Sequence, residues 1–189
     1  MKRYLSICLL VAAALCGTFP AQAGVIGLVK NVVPSTIWVS PNGDHVICVT
    51  VDPQTKKRRV NLDGHLLPGA YDAIAKDTPF FSADGKHHAF VATRGGKCMV
   101  VVDGVEQPTY DIIKDRWPIT GLMFGADGGK THVAYQVSEK DKHAVVVNGK
   151  KLGAYDSIKG GLPGIWDFYF EGSYFAYRAK VGDKMVACR

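Results

Sequence analysis

Short apolar runs separated by polar turns follow one another along most of this chain, and the pattern recurs. One copy covers residues 80–113 and the next covers residues 124–158. An earlier copy covers residues 39–74, and a partial copy covers residues 170–189. Each complete copy has the patterning expected of four short β-strands, and no helical periodicity of useful length follows residue 23. The pattern therefore predicts an all-β protein built from repeated units.

Four markers recur in the same order in these units, which is the signature of a structural repeat. The first two are pairs of a polar residue and a glycine, typical of β-hairpin turns because glycine adopts positive φ without a steric clash. The third is Tyr-Asp-x-Ile, and the fourth is a proline eight residues after each tyrosine. The marker residues are Gly43, Gly85, Gly128 and Gly172, then Gly64, Gly104 and Gly149, then Tyr71, Tyr110 and Tyr155, then Pro79, Pro118 and Pro163.

In the second unit we predict strands A to D near residues 79–83, 87–93, 97–103 and 109–113. Strand C is apolar on both faces, as expected for a strand inside a sheet that is covered on both sides. Strand B pairs a small residue with an aromatic one, as in Ala89-Phe90, which suits packing between neighbouring sheets. A single four-stranded sheet cannot cover both of its own faces, so we expect the units to stack on one another.

The run at residues 82–86, Ser-Ala-Asp-Gly-Lys, followed by Ala89-Phe90, resembles the signature of WD40-like β-propeller repeats. Such repeats occur in the periplasmic propeller of the Tol system and in propellers attached to prolyl-oligopeptidase-type enzymes. The resemblance covers nearly all of residues 34–189. It implies a β-propeller with four-stranded blades. It does not imply one function, because these repeats serve many proteins.

The ends of the repeat predict a ring of four blades. The last unit stops within strand C, and Pro34 precedes the first unit as Pro79 precedes the second. Residues 25–29 would then supply the missing strand D beside residues 184–189, with Val29 at the isoleucine position of the Tyr-Asp-x-Ile marker. The alternative is an open arc, which could dimerise, or a truncated relative of longer propellers, because four blades are the small end of the range.

The first 23 residues have the order of a secretory signal peptide: a charged start, an apolar run over residues 5–15, and the small-residue site Ala21-Gln22-Ala23. The apolar run is shorter than the roughly 20 residues of a membrane span. We therefore expect cleavage after Ala23, a β-propeller domain of residues 24–189, and a periplasmic or secreted location. A retained or lipidated anchor is the alternative.

Net charge bears on the class of partner, and cysteine content bears on whether disulfides hold the fold. Removing Lys2 and Arg3 lowers the formal net charge from +6 to +4 (6 − 2), too weak a charge to indicate nucleic acid. Three cysteines remain, Cys48, Cys98 and Cys188, and an odd number excludes a disulfide scaffold, although one pair could form. Because all three lie in predicted strands, we expect these cysteines to be buried and to pack as small apolar residues.

Recurrent polar residues raise the question of catalysis or metal binding. The sequence has no Gly-x-Ser-x-Gly, P-loop, Cys-x-x-Cys or His-Glu-x-x-His motif. Three units place a histidine two residues before the Ala89 position of strand B, and Tyr174 takes that place in the fourth. Because strand A, not strand B, lines a propeller channel, we predict neither a metal site nor a cofactor. The aspartates that follow the marker tyrosines are expected to order turns rather than to act as acid and base. These residues are His45, His87 and His132, and Asp72, Asp111 and Asp156.

Basic and aromatic residues gather in the B–C and D–A loops, which emerge on one face of a propeller. The opposite face carries acidic turns, including Asp103 and Glu106. A basic rim with indole rings is typical of a surface that binds an acidic peptide or an anionic glycan, whereas solvated loop charge that keeps a β-protein soluble is the alternative. The predicted partner-binding residues are Trp117, Arg116, Lys114, Trp166, Lys159, Lys57, Arg58 and Arg94.

The sequence thus favours an exported, non-enzymatic module, monomeric or dimeric, that binds a protein or peptide. A propeller enzyme of lyase or glycosidase type and a structural remnant of a larger propeller are the alternatives. Trp117 gives the sharpest test. If it forms the binding face, its change to Ala weakens binding at least tenfold and leaves the melting temperature nearly unchanged. If its indole fills the space between the second and third units, the change destabilises the fold by about 3–5 kcal/mol.

Overall fold

The computed structural model describes residues 29–112, 117–127, 129–140, 142–158, 169–171 and 174–188. Within these residues the secondary structure consists of β-strands and one 3-10 turn, Pro34–Thr36. None of them forms a helix long and apolar enough to cross a bilayer. The strands are β1 Trp38–Val39, β2 Val46–Val51, β3 Arg58–Leu62, β4 His65–Leu66, β5 Ala73–Ile74, β6 Phe80–Phe81, β7 His88–Arg94, β8 Lys97–Val102, β9 Val105–Glu106, β10 Tyr110–Asp111, β11 Ile119–Asp127, β12 Lys130–Glu139, β13 Lys142–Val147, β14 Lys150–Tyr155, β15 Ser157–Ile158, β16 Tyr169–Glu171, β17 Tyr174–Val181 and β18 Lys184–Cys188.

These strands form four antiparallel sheets in chain order. Sheet 1 contains β1–β4, sheet 2 contains β5–β10, sheet 3 contains β11–β14 and sheet 4 contains β15–β18. Each sheet has two long central strands, which are the predicted strands B and C. An inner strand, short in sheets 1, 2 and 4 and long in sheet 3, pairs with the first central strand, and an outer strand follows them in sheets 1 to 3. The all-β prediction is therefore confirmed, and sheets 1 and 3 have the predicted four strands.

One strand register recurs from sheet to sheet. The central strands pair Ile47 with Leu62 in sheet 1, and the same register in the next two sheets pairs equivalent residues. This register defines structurally equivalent positions throughout the stack. The equivalent pairs are Ala89 with Val102 in sheet 2 and Ala134 with Val147 in sheet 3.

The sheets stack face to face, and a buried apolar cluster fills each described interface. The aromatic residue of strand B faces the preceding sheet: Phe90 belongs to the buried cluster that contains Ile47 of sheet 1, and Tyr135 belongs to the cluster that contains Ala89 of sheet 2. Tyr177 of sheet 4 continues the rule by packing with residues of sheet 3. The small-aromatic pair predicted for strand B therefore contributes to two interfaces: in sheet 2, Phe90 enters the cluster shared with sheet 1 and Ala89 enters the cluster shared with sheet 3.

The Tyr-Asp-x-Ile marker differs from its predicted role as one outer strand. Tyr71 exchanges backbone hydrogen bonds with Arg58 in sheet 1 (2.8 and 2.9 Å), whereas Ala73 and Ile74 pair with strand β7 of sheet 2. Tyr155 likewise pairs within sheet 3 while β15 pairs within sheet 4. The marker is therefore the crossover at which the chain leaves one sheet and begins the inner strand of the next.

The proline marker was wrong as a structural equivalence. Pro79 directly precedes Phe80, whose equivalent in sheet 1 is Trp38, four residues after Pro34. Pro118 instead lies at the start of the inner strand of sheet 3, where its carbonyl accepts a hydrogen bond from Ser138 N. The inner strands contain irregular segments of different length, so an equal spacing in sequence joins positions that are not equivalent.

The closing strand predicted at residues 25–29 lies outside the described residues except for Val29, which belongs to no strand. The position equivalent to Ile74 is taken by Val32, which bridges to Thr50 of β2, so the placement of Val29 there was wrong. Val33 N donates to Val49 O (2.8 Å), which makes residues 31–33 the beginning of the inner strand of sheet 1. Ring closure remains a prediction.

Candidate functional site

Half of the predicted partner-binding residues lie outside the described part of the chain. These are Lys114, Arg116, Lys159 and Trp166. The other four are described, and their contacts show whether they are available to a partner. They are Lys57, Arg58, Arg94 and Trp117.

Arg94 is held by an ion pair within sheet 2 and by a ring that follows sheet 1. Its guanidinium donates to both carboxylate oxygens of Glu106 (2.7 and 2.5 Å) and lies over the ring of Tyr71, 5.7 Å from its centroid. Tyr71 OH also donates to Glu106 (3.1 Å). The Arg94 guanidinium holds the pKa of Glu106 below its ordinary value. Glu106 was expected on the face opposite Arg94. The two side chains nevertheless meet, so at this pair the basic and acidic groups are not separated.

Lys57 belongs to a recurrent group of hydrogen bonds at the crossover, here called the latch, in which a lysine and a backbone N–H bind the aspartate of the Tyr-Asp-x-Ile marker. Its ammonium group bonds Asp72, and the second carboxylate oxygen of Asp72 accepts from Gly95 N in the B–C turn of sheet 2 (2.8 Å). Hydrogen bonds from Lys57 and Gly95 lower the pKa of Asp72. Arg58 donates to Ile74 O across the same boundary (3.3 Å).

The latch recurs at the later crossovers. Lys97 pairs with Asp111, and Lys142 pairs with Asp156, which also accepts from Gly182 N in sheet 4 (2.6 Å). The turn-ordering role predicted for the marker aspartates is therefore confirmed where these backbone bonds form. Lys57 and the carboxylates considered for catalysis are therefore engaged in hydrogen bonds within the scaffold.

Trp117 packs against the apolar cluster between sheets 2 and 3 and is half-buried there. This contact matches the structural alternative for the residue, in which the indole fills space between these units. The binding role predicted for Trp117 stays a prediction, but an effect on stability now has a described contact behind it.

The recurrent histidines each bind the outer turn of their own sheet. His45 Nδ1 lies 2.7 Å from Asp63, and His87 Nδ1 lies 2.7 Å from Asp103. His132 makes the equivalent contact with Asn148 (2.8 Å). The turn residue also accepts the first backbone N–H of strand B, as Asp63 does from Val46 N (2.8 Å). No group of three or more potential ligands among the described residues is placed to hold a metal ion.

The buried cysteines behave as small apolar residues. Cys48 and Cys98 are free and almost completely buried. Burial raises the pKa of both thiols to about 11, so they are protonated at neutral pH. The prediction is confirmed for these two cysteines. Cys188 lies in β18, and its side chain is outside the described part of the structure.

A cavity of about 320 Å³ lies on the outer face of sheet 1, the face turned away from sheet 2. Its walls come from residues 29–31, the end of β2 with the turn after it, strand β3, and the hairpin between β3 and β4. This volume is at the small end of the range for ligand pockets. The polar residues that line it are Lys30, Asn31, Thr50, Asp52, Arg59 and Asn61.

Several polar groups in this cavity are buried. Thr50 and Asn61 are only 7% and 4% exposed. Arg59 is half-buried, and its Nε atom is buried without a hydrogen-bond partner among the described residues. Asn61 Oδ1 accepts from Gly64 N (2.9 Å), which leaves its NH2 group for other contacts. The cavity therefore offers unused donors in a sheltered place, where a partner for them has the greatest effect.

Sequence reasoning missed this cavity, although the repeat contains the signal. In the common register, Arg59 is equivalent to Met99 and Asn61 to Val101, and both of those residues are completely buried between sheets. Thr50 replaces an apolar residue in the same way. The first unit is thus polar at the positions that other units use for packing on the preceding sheet. The equivalents of Thr50 in sheets 2 and 3 are Ala92 and Val137.

No protein-family model matches the chain, and no curated protein matches its sequence significantly. One solved structure is similar: the β-propeller domain of the Trilobed protease from Pyrococcus furiosus, described as having an open velcro topology. The identity is 8%, the match covers 85% of this chain and 69% of that chain, and the TM-score is 0.37. A likeness this loose carries no argument about fold or function.

Proposed function

We propose that the protein is an exported, non-enzymatic binding module, with four propeller-type blades of the WD40-like kind, that holds a protein or peptide on the outer face of sheet 1. The observation that supports it is the cavity there, where Arg59 and Asn61 keep unused donors in a buried setting. By contrast, Lys57, Arg58 and Arg94 of the predicted basic face bind groups of the scaffold.

The same face favours the open arc over the closed ring. The described interfaces between sheets are filled with apolar side chains, whereas this face presents Arg59 and Asn61. Covering such groups with another sheet costs free energy unless that sheet supplies hydrogen-bond partners. An open arc leaves the face accessible, and Leu66 at its rim is 49% exposed.

The test measures peptide binding by fluorescence anisotropy, using labelled heptapeptides that differ in acidic content. Leu66→Glu introduces a charge at the cavity rim, and Val105→Glu is the matched control, because Val105 is an exposed apolar residue in the same hairpin of sheet 2 (62% exposed). We expect acidic peptides to bind, Leu66→Glu to weaken them at least tenfold, and Val105→Glu to have little effect.

The proposal fails if no peptide binds, or if both substitutions reduce binding equally. Mass spectrometry of the recovered peptide provides the second readout. An unchanged mass supports a binding module, whereas a change in the mass of the peptide would show catalysis and contradict the non-enzymatic proposal.

A further inference from the structure

We propose that the cavity of sheet 1 is a carboxylate-binding site, with Arg59 as the residue that recognises the anion and Asn61 as a second donor. The inference rests on the proposed binding role of this face and names the chemical group that is bound. The same carboxylate could belong to a small organic acid, a peptide C-terminus or an acidic side chain, so the shared chemistry defines the site.

Arg59 has the geometry and the environment for this role. Guanidinium is a planar fork of donors that matches the two oxygens of a carboxylate, and its charge remains at all physiological pH values. The Nε–H of Arg59 is buried and donates to no described residue. A carboxylate in the cavity that pairs with the Arg59 guanidinium would supply an acceptor that the described residues do not give its Nε side, and Asn61 lines the same cavity.

Asp52 does not take this place, although it lines the same cavity. Its Oδ1 accepts from Gln54 N and Thr55 N (both 2.8 Å), where it caps the turn after β2. These backbone bonds are the main cause of its lowered pKa, and Arg59 contributes less. The carboxylate of Asp52 is thus oriented toward its own turn.

The charge balance and the walls distinguish a carboxylate from a phosphate. Lys30 and Arg59 supply two positive charges, and Asp52 supplies one negative charge, which leaves a single positive charge for a monoanion. Val29, Val51 and Leu66 add apolar surface for a short hydrocarbon segment. A phosphate dianion would exceed this net positive charge and would make no use of the apolar wall.

The direct test follows the Arg59 Nε–H and Asn61 NH2 resonances by ¹H–¹⁵N NMR during titration of the full protein. The probes are propionate, butyrate, their neutral amides and inorganic phosphate. We expect both resonances to shift with the carboxylates, with dissociation constants on the order of 1 mM for ligands this small. Equal shifts with the amides would overturn the proposal, as would tighter binding of phosphate.

Two substitutions provide the matched comparison. Arg59→Lys keeps the charge but removes the fork, and we expect it to weaken butyrate binding at least tenfold. Lys86→Met removes a positive charge from an exposed turn of sheet 2 and should leave binding unchanged. If Arg59→Lys binds butyrate as well as the parent protein does while its spectrum remains that of the folded protein, Arg59 is not the anion ligand.

An experiment with peptides shows which carboxylate is bound, and it distinguishes failure of the carboxylate site from failure of the peptide-binding function. For an acidic peptide that binds, amidation of its C-terminus and Glu→Gln changes in its side chains are compared. Loss of binding on amidation assigns the terminal carboxylate, and loss on Glu→Gln assigns a side chain. Binding that survives both changes would overturn the carboxylate site but leave the peptide-binding function in place.

Discussion

Gly69 offers the sharpest test of how one unit is built, because the chain contains a matched control for it. Gly69 and Gly64 have nearly the same positive φ, 93° and 89°. A Cβ atom added at Gly64 would meet nothing within 4 Å, whereas at Gly69 it would overlap the ring of Tyr71. The change of both glycines to alanine therefore separates backbone strain from displacement of the ring.

The magnitude follows from what the ring contacts. Alanine in left-handed conformation costs about 1–2 kcal/mol, and this cost is common to both variants. Tyr71 is 1% exposed, makes an edge contact with Phe90 (5.6 Å between centroids) and donates to Glu106. Loss of a whole buried aromatic ring costs about 3–5 kcal/mol, and displacement of the ring should cost about half of that. We therefore expect Gly69→Ala to destabilise the protein by about 2 kcal/mol more than Gly64→Ala does.

Urea unfolding monitored by circular dichroism measures both variants, and the same pair made in a Tyr71→Ala background completes a double-mutant cycle. Without the ring, the two glycine changes should cost the same. If Gly69→Ala and Gly64→Ala are equally destabilising in the parent protein, or if the excess cost persists in the Tyr71→Ala background, packing of the ring on Gly69 is not what requires glycine.

Two further predictions concern other contacts of the scaffold. Trp117→Ala should destabilise the fold by about 2 kcal/mol in urea unfolding, roughly half the cost of a fully buried tryptophan. Trp38→Ala, at an exposed position, is the control and should cost less. If Trp117→Ala instead abolishes peptide binding and leaves stability unchanged, Trp117 has the binding role expected from the sequence. Burial lowers the pKa of His88 below the ordinary value of 6.5, and His87 and His45 lower it further, although the nearby carboxylates of Asp103 and Asp63 act to raise it. The unfolded chain therefore takes up this proton at a higher pH than the folded protein does. The unfolding free energy should fall as the pH drops from about 6.5 toward the folded-state pKa. Unfolding free energies of the parent and His88→Phe between pH 7.5 and pH 5 test this, since an equally steep fall in the variant would show that His88 is not its cause.

The central strands could be predicted from the sequence because their patterning is dense and their turns carry glycine. Strands β7 and β8 lie within about one residue of the predicted strands B and C. The inner strands could not be placed in this way. Their paired segments in sheet 2 are two residues long and are separated by an irregular stretch, so hydrophobic alternation has too little length to set a register. The crossover at Tyr71 is also a tertiary feature, because two sheets share one short segment.

The predicted binding face illustrates a different limit. A cation in a loop looks the same in sequence whether it is solvated or paired, and Arg94 and Glu106 are twelve residues apart with no motif that joins them. Both side chains also contact Tyr71, which pairs with sheet 1 and which only the stacking of the sheets brings to them. The polar positions of sheet 1 were different, because the substitution of Arg59 and Asn61 for apolar residues is visible once the correct register aligns the units.

That substitution links the fold of the array to its proposed function. A stack of sheets continues as long as each outer face is apolar enough to be covered by the next sheet, and it ends where the face is polar. In sheet 1 the polar face is not simply solvated, since Asn61 is 4% exposed and Arg59 Nε is buried. Another sheet placed there would have to bury an arginine without an acceptor, whereas a ligand carboxylate supplies that acceptor. The residues that disfavour stacking on sheet 1 are therefore the same residues that make it suited to hold an anionic partner.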